Sequence, residues 1–111
     1  MKEDKLGDLS MELSVDALNI CKKLKAQKET VISNQIGRSA SSICANIAES
    51  KYAHGRADFI AKLHISLKEV SESIYWLTLL KNTRLFEYDY EISIKLWYYI
   101  AMRIRVTRHI G

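Results

Sequence analysis

Residues 57–82 read ADFIAKLHISLKEVSESIYWLTLLKN, and within them Phe59, Leu63, Leu67, Val70, Ile74 and Leu77 recur at intervals of three and four. An α-helix returns to the same face every 3.6 residues, so this spacing lays all six side chains on one stripe and predicts a helix over about 57–82. At about 1.5 Å per residue that helix is about 40 Å long and sets the length of the molecule. Ile65, Trp76 and Leu79 point away from the stripe, interleaved with Glu69 and Glu72. One stripe cannot bury both sets.

The same period runs outward in both directions. Leu6, Leu9, Leu13, Ala17, Ile20 and Leu24 make a stripe that predicts a helix over about 8–27. The polar cluster Gln27, Lys28, Glu29 then breaks the pattern, and Thr30 is the expected N-cap of the next helix. That helix, over about 31–52, places Ile32, Ile36, Ala40, Ile43 and Ile47 on one face. Ser39, Ser41, Ser42, Ala45 and Ala48 keep much of its remaining surface small, so a neighbouring helix can approach closely. The pattern stops again around His54, Gly55 and Arg56. After the link Thr83 to Glu87, a fourth helix is predicted over about 88–109. Ile92, Leu96, Ile100 and Ile104 form its first stripe, Tyr99, Met102 and Val106 a second beside it, and Trp97 with Ala101 extends the first. A helix apolar nearly all round is buried on more than one side. In a bundle of four helices each has an outer face, so the surplus on the last two predicts a surface buried between subunits. Ile65, Trp76, Leu79 and Trp97 are the residues expected there, and a homo-oligomer is the expected state.

Composition sets the frame. The chain has 111 residues, 48% of them hydrophobic and 27% charged, which suits one domain over 1–111 with one core. It has no proline and four glycines, whereas strand-turn-strand folds use both heavily at their turns. Short connections make successive helices antiparallel neighbours, so the predicted fold is an all-α, up-down-up-down four-helix bundle. A three-helix core with a swapped or docked first helix is the alternative. No uncharged apolar run reaches about 18 residues, and the first residues are of mixed charge, so neither export nor a membrane partner is expected and the cytoplasm is the expected compartment.

Little in the sequence supports catalysis. Cys21 and Cys44 sit among small and apolar residues without metal-type spacing and read as small core-type side chains. His54, His64 and His109 are isolated from one another, and neither Glu-x-x-His nor Cys-x-x-Cys occurs, so no metal is expected. Gly37 and Gly55 lack the flanking residues of a phosphate-binding loop. His64 and Cys44 lie on different predicted helices, with nothing to orient them as base and nucleophile. No catalytic residue and no cofactor is assigned.

Two features bear on binding. On the second helix Arg38, Ser42, Ala45 and Glu49 fall nearly in line, with Gln35, Ser39 and Asn46 beside them, because eleven residues make about three turns. That polar line is either solvated and paired along the helix or part of a binding surface. The second feature is charge: the net value is +4 and the isoelectric point is near 9.1. Lys22, Lys23, Lys25 and Lys28 crowd the end of the first helix, and Arg103, Arg105, Arg108 and His109 end the last. Cations at helix C-termini interact favourably with the macrodipole, which explains both clusters by stability alone. In an up-down bundle, however, Lys51, His54 and Arg56 share a pole with Arg103, Arg105 and Arg108. An oligomer repeats that pole around its axis and makes a field suited to nucleic-acid phosphates, without base specificity.

The second helix also carries the stretch Gln35-Ile36-Gly37-Arg38-Ser39-Ala40-Ser41-Ser42-Ile43-Cys44-Ala45-Asn46-Ile47-Ala48-Glu49-Ser50, followed by Arg56, Asp58-Phe59 and Ser66-Leu67-Lys68-Glu69. It resembles a bacterial four-helix-bundle family first noticed in intervening sequences of large-subunit ribosomal RNA genes. That family also includes the accessory variability determinant proteins of diversity-generating retroelements. The likeness covers nearly the whole chain in segment order, and its specific part is Ser-Ile-x-Ala-Asn-Ile-Ala-Glu. Cys44 stands where the family usually has proline, Ser50 where it has glycine, Gly37 where it has a second arginine, and Ile65 where it often has glycine. The resemblance implies a small bundle assembled into a ring, typically a pentamer, without enzymatic activity. In the retroelement branch it implies a basic ring that binds nucleic acid and a reverse transcriptase. By matching position Arg38, Asn46 and Glu49 are the motif's polar residues.

Three functions follow in order of support. The first is a ring-forming protein that binds RNA or a ribonucleoprotein partner through Lys51, Arg56, Arg103, Arg105 and Arg108. The second is a structural or protein-interaction module whose charges serve solubility. The third, with least support, is an enzyme whose site between subunits gathers Arg38, Glu49 and His64.

Overall fold

A computed structural model describes residues 4–110. Four helices account for nearly all of them: α1 Lys5–Ala26, α2 Thr30–Ser50, α3 Arg56–Thr83 and α4 Tyr90–Ile110. α1 packs on α2, α2 on α3 and α3 on α4, while α4 returns against α1 along the lightest of the four seams. Diagonal helices do not approach, so the four stand at the corners of a square in up-down-up-down order. The molecule measures 44 × 23 × 22 Å, and the 28 residues of α3 span the long dimension at about 1.5 Å each.

Local chemistry sets the ends. The Asp4 carboxylate accepts from the Gly7 N–H at 2.9 Å and caps α1, so the helix begins before the expected residue 8. α2 is capped by Glu29, whose Oε1 accepts from the Ile32 N–H at 3.0 Å, and not by Thr30, which is already in the helix. The turn before it explains why. Lys28 is left-handed with φ 61°, the Glu29 N–H bonds back to the Leu24 carbonyl, and the Lys28 N–H bonds to that of Lys25. This Schellman closure delivers Glu29 to the capping position. α4 starts at Tyr90 because Asp89 Oδ1 accepts from the Ile92 N–H at 3.0 Å.

The core is drawn from one stripe of each helix. In α1 it is Leu6, Leu9, Leu13, Ala17, Ile20 and Leu24; in α2, Ile36, Ala40, Ile43 and Ile47; in α3, Leu63, Leu67, Val70, Ile74, Leu77 and Leu80. Ile32 and Phe59 are half-buried at the margins. Burying each large aliphatic side chain contributes about 1.5–3 kcal/mol before chain entropy is charged against it.

α4 departs from expectation. Its buried face is Tyr90, Ser93, Trp97, Ile100, Ala101 and Ile104, while Ile92 is 65% exposed and Leu96 half-buried. Trp97, expected between subunits, is completely buried within the chain. Its indole N–H donates to Asp16 Oδ2 of α1 at 3.0 Å, and the same carboxylate accepts from the hydroxyls of Ser93 and Tyr88. Three donors around one acceptor rotate α4 so that Ser93 and Trp97 face inward and Ile92 faces out.

Candidate functional site

The motif of α2 lies along the seam with α3, where its polar residues are separately engaged. Arg38 donates to Glu69 at 3.1 Å and stands 3.6 Å from Glu72, with Gln35 and Ser39 also in reach. Glu49 lies 3.8 Å from the Lys62 ammonium. Asn46 turns back on its own helix and donates to the Ser42 carbonyl at 2.9 Å. Beneath them the buried Ser66 hydroxyl donates to the Ile43 carbonyl at 2.9 Å. Arg38, Asn46 and Glu49 therefore do not converge on one point; two of them bridge α2 to α3, and the small side chains between let the helices close. His64 lies elsewhere, beside Arg108 at 3.4 Å.

The expected basic residues do gather. The C-terminal ends of α2 and α4 and the start of α3 meet at one pole. There the Arg56 guanidinium donates to the His109 carbonyl at 3.3 Å, joining the start of α3 to the end of α4. Lys51 pairs with Asp4. Its ammonium and the Gly7 amide together hold the Asp4 carboxyl below its ordinary range. Arg105 is exposed, Arg108 half-buried, and among the described residues no carboxylate lies within ion-pairing distance of Arg56, Arg103, Arg105 or Arg108. Arg103 is not an outer residue. It leans toward α1 into a 240 Å³ recess shared with Asp4, Lys5, Ser50, Lys51, Phe59 and Thr107, where Asp4 is engaged by Lys51, and its Nε is buried without a partner among the described residues.

Of the residues expected between subunits, Ile65 is 42% exposed, while Trp76 and Leu79 are half-buried. Trp76 sits edge-on to Tyr75 in a shallow groove with Gln35 and Glu72. Other exposed apolar side chains lie elsewhere. On α1, Met11, Val15 and Leu18 are 68%, 53% and 57% exposed; on α4, Ile92, Tyr99, Met102 and Val106 are open to solvent. A 630 Å³ groove beside Leu18 separates α1 from α2, floored by Ala17, Gly37, Ala40 and Ser41. Cys21 and Cys44, free and half-buried, line it, with Cys44 Sγ 3.2 Å from the Ser14 hydroxyl. Neither the α1 stripe nor the Asp16 cluster was foreseen. The one available signal for the cluster was a lone acid beside the core stripe of α1, between Leu13 and Ala17.

Among the described residues no three histidine, cysteine or acidic side chains gather as metal ligands, and no helix is long and apolar enough to cross a membrane.

Comparison with known proteins bears on this geometry. Residues 2–100 match the family model described as 23S rRNA-intervening sequence protein. The chain belongs to the 23S rRNA-intervening sequence protein family. A crystal structure of a family relative, a protein of unknown function from the S23 ribosomal protein family of Bacteroides thetaiotaomicron, superposes with a TM-score of 0.89 at 41% identity. The alignment covers 98% of this chain and 99% of that one. No curated protein matches. The intervening-sequence protein family is thus a helical family of this architecture, and neither the family description nor the relative's names an enzymatic activity.

Proposed function

We propose that this intervening-sequence protein is a non-enzymatic, ring-forming scaffold that holds RNA by its phosphates at the pole where α2 and α4 end. The observation that carries the reading is the convergence there of Arg56, Arg103, Arg105 and Arg108 with no carboxylate in ion-pairing range among the described residues. The macrodipoles of α2 and α4 place partial negative charge at this same end, and that accounts for one or two cations but not for all four. Arg56, Arg105 and Arg108 are available to phosphate oxygens. Arg103, partly enclosed, orders the pole from behind. Contacts of this kind position a nucleic acid without reading its bases, and they weaken steeply with salt. The family's name associates its members with ribosomal RNA genes, which agrees with RNA as the ligand.

The test is binding of a generic structured RNA, followed over a salt series, by the native chain and by an Arg56→Glu/Arg108→Glu double variant. These two side chains lie at the pole and leave the apolar stripes untouched. The native chain should bind at low salt and lose affinity linearly in log-log form; the variant should lose at least about 100-fold in affinity with unchanged helicity. Undiminished binding by the variant would refute the polar-end reading.

A further inference from the structure

Among the described residues two buried side-chain polar atoms lack a hydrogen-bond partner, Arg103 Nε at the basic pole and Ser33 Oγ. The other buried serines are engaged. Ser50, Ser66 and Ser73 donate to backbone carbonyls and Ser93 to Asp16, while Ser39 accepts from Arg38. Ser33 is 2% exposed and lies on the wall of the 630 Å³ groove between α1 and α2. A buried hydroxyl without a partner weakens folding, so such a group calls for an account of its own.

The rest of the groove indicates what satisfies it. α1 and α2 run antiparallel, so Lys25 and the start of α2 mark one end, and Ser14 beside Cys44 marks the other. From Ser14 to Lys25 is about three turns of α1, or about 16 Å. Between the ends Ala17, Leu18 and Ala40, with the side chains of Cys21 and Cys44, make an apolar channel. Gly37 widens it: a Cβ there would meet nothing nearer than Cys21 Sγ at 3.9 Å, so packing does not demand glycine. At the Lys25 end the Ser33 hydroxyl, the Asn34 amide and the Lys25 ammonium can all donate. No acid lines the groove, and among the described residues no carboxylate pairs with Lys25. Arg38 also borders the groove, but its guanidinium is taken by Glu69 and Glu72.

We propose that the α1–α2 groove binds a medium-chain aliphatic monocarboxylate. Ser33, Asn34 and Lys25 hold its carboxylate, and its chain lies along Leu18 and Ala40 toward Cys44. A carboxylate only accepts hydrogen bonds, which matches three donors, and its charge strengthens the bond from Lys25. The positive end of the α2 dipole lies at the same place and favours an anion further. A volume of 630 Å³ falls within the range of small-molecule sites, which combine an apolar lining with a few placed polar groups. The site is independent of the RNA reading, because the Lys25 end faces the pole opposite the arginines.

Octanoate is the probe and octanol its uncharged control, each titrated calorimetrically into the native chain. A single octanoate should bind per chain, with octanol at least about tenfold weaker. Ser33→Ala and Lys25→Gln should each weaken octanoate by about tenfold. Without octanoate, Ser33→Ala should leave the urea midpoint undiminished, because the hydroxyl has no partner to lose. Gly37→Leu fills the channel and should abolish binding while raising the urea midpoint through its better helix propensity. Saturating octanoate should also slow iodoacetamide alkylation of Cys21 and Cys44, read by peptide mass mapping. A native chain that ignores octanoate, octanol binding as tightly, Gly37→Leu binding like the native chain, or unchanged alkylation would each overturn the site. A lowered midpoint in ligand-free Ser33→Ala would overturn the role given to that hydroxyl.

Discussion

Lys28 and Arg84 hold left-handed backbone, φ 61° and 47°, just past the ends of α1 and α3, where glycine is the usual residue. A side chain in that region costs about 1 kcal/mol. Lys28→Gly should therefore raise unfolding stability by about 0.5–1 kcal/mol, read as a higher urea midpoint at unchanged slope. Asp16 is the opposite case, a half-buried acid held by Tyr88, Ser93 and Trp97. Asp16→Ala strands three donors and should cost about 2 kcal/mol in the same measurement. Burial, and then the bond to Asp16, raises the Tyr88 hydroxyl above its ordinary value of 10.0. Below about pH 10 folded and unfolded chains both keep that proton and the stabilisation is complete; above it the unfolded chain releases the proton first. Stability should hold through neutral pH and fall above about pH 10, less steeply in Tyr88→Phe, as followed by denaturant titrations at several pH values. None of this network could be read from sequence, because its partners lie 72 to 81 residues from Asp16 and a lone acid at a helical spacing reads as solvated.

At the scale of elements, periodicity was a sufficient guide where a helix had one apolar stripe. α1 shows this: Leu6, Leu9, Leu13, Ala17, Ile20 and Leu24 are its buried residues and its sequence stripe alike. α4 has apolar residues almost all round, and periodicity cannot choose among adjacent stripes. The choice was made by hydrogen bonding to Asp16 on another helix, which turned Trp97 in and Ile92 out. The two positions should answer oppositely to substitution. Trp97→Ala should cost about 3–5 kcal/mol of unfolding free energy, whereas Ile92→Ser in the isolated chain should change it by less than about 0.5 kcal/mol. Arg38 lies between these extremes. It is about half-exposed and pairs with the half-exposed Glu72 and with Glu69, which is only 16% exposed, so Arg38→Ala should cost about 1 kcal/mol, since an ion pair open to solvent on one side contributes little.

For the whole molecule, the count, order and polarity of the helices were legible because the apolar stripes are long and the breaks between them short and polar. The basic pole was legible from topology alone: once the helices alternate, Lys51 and Arg56 must meet the end of α4. The enclosure of Arg103 was not, since it depends on how closely α4 approaches α1. The uncovered α1 stripe was missed because Met11, Val15 and Leu18 stand on a helix whose stronger stripe explained it. The proposed function rests on the pole where α2 and α4 end, whose cations assembly would repeat on one side. The most direct test is the solution mass with and without a structured RNA at low and at high salt. A multi-copy particle that takes up RNA at low salt and releases it at high salt is the predicted result; a single chain, or an assembly that leaves RNA free at low salt, would contradict it.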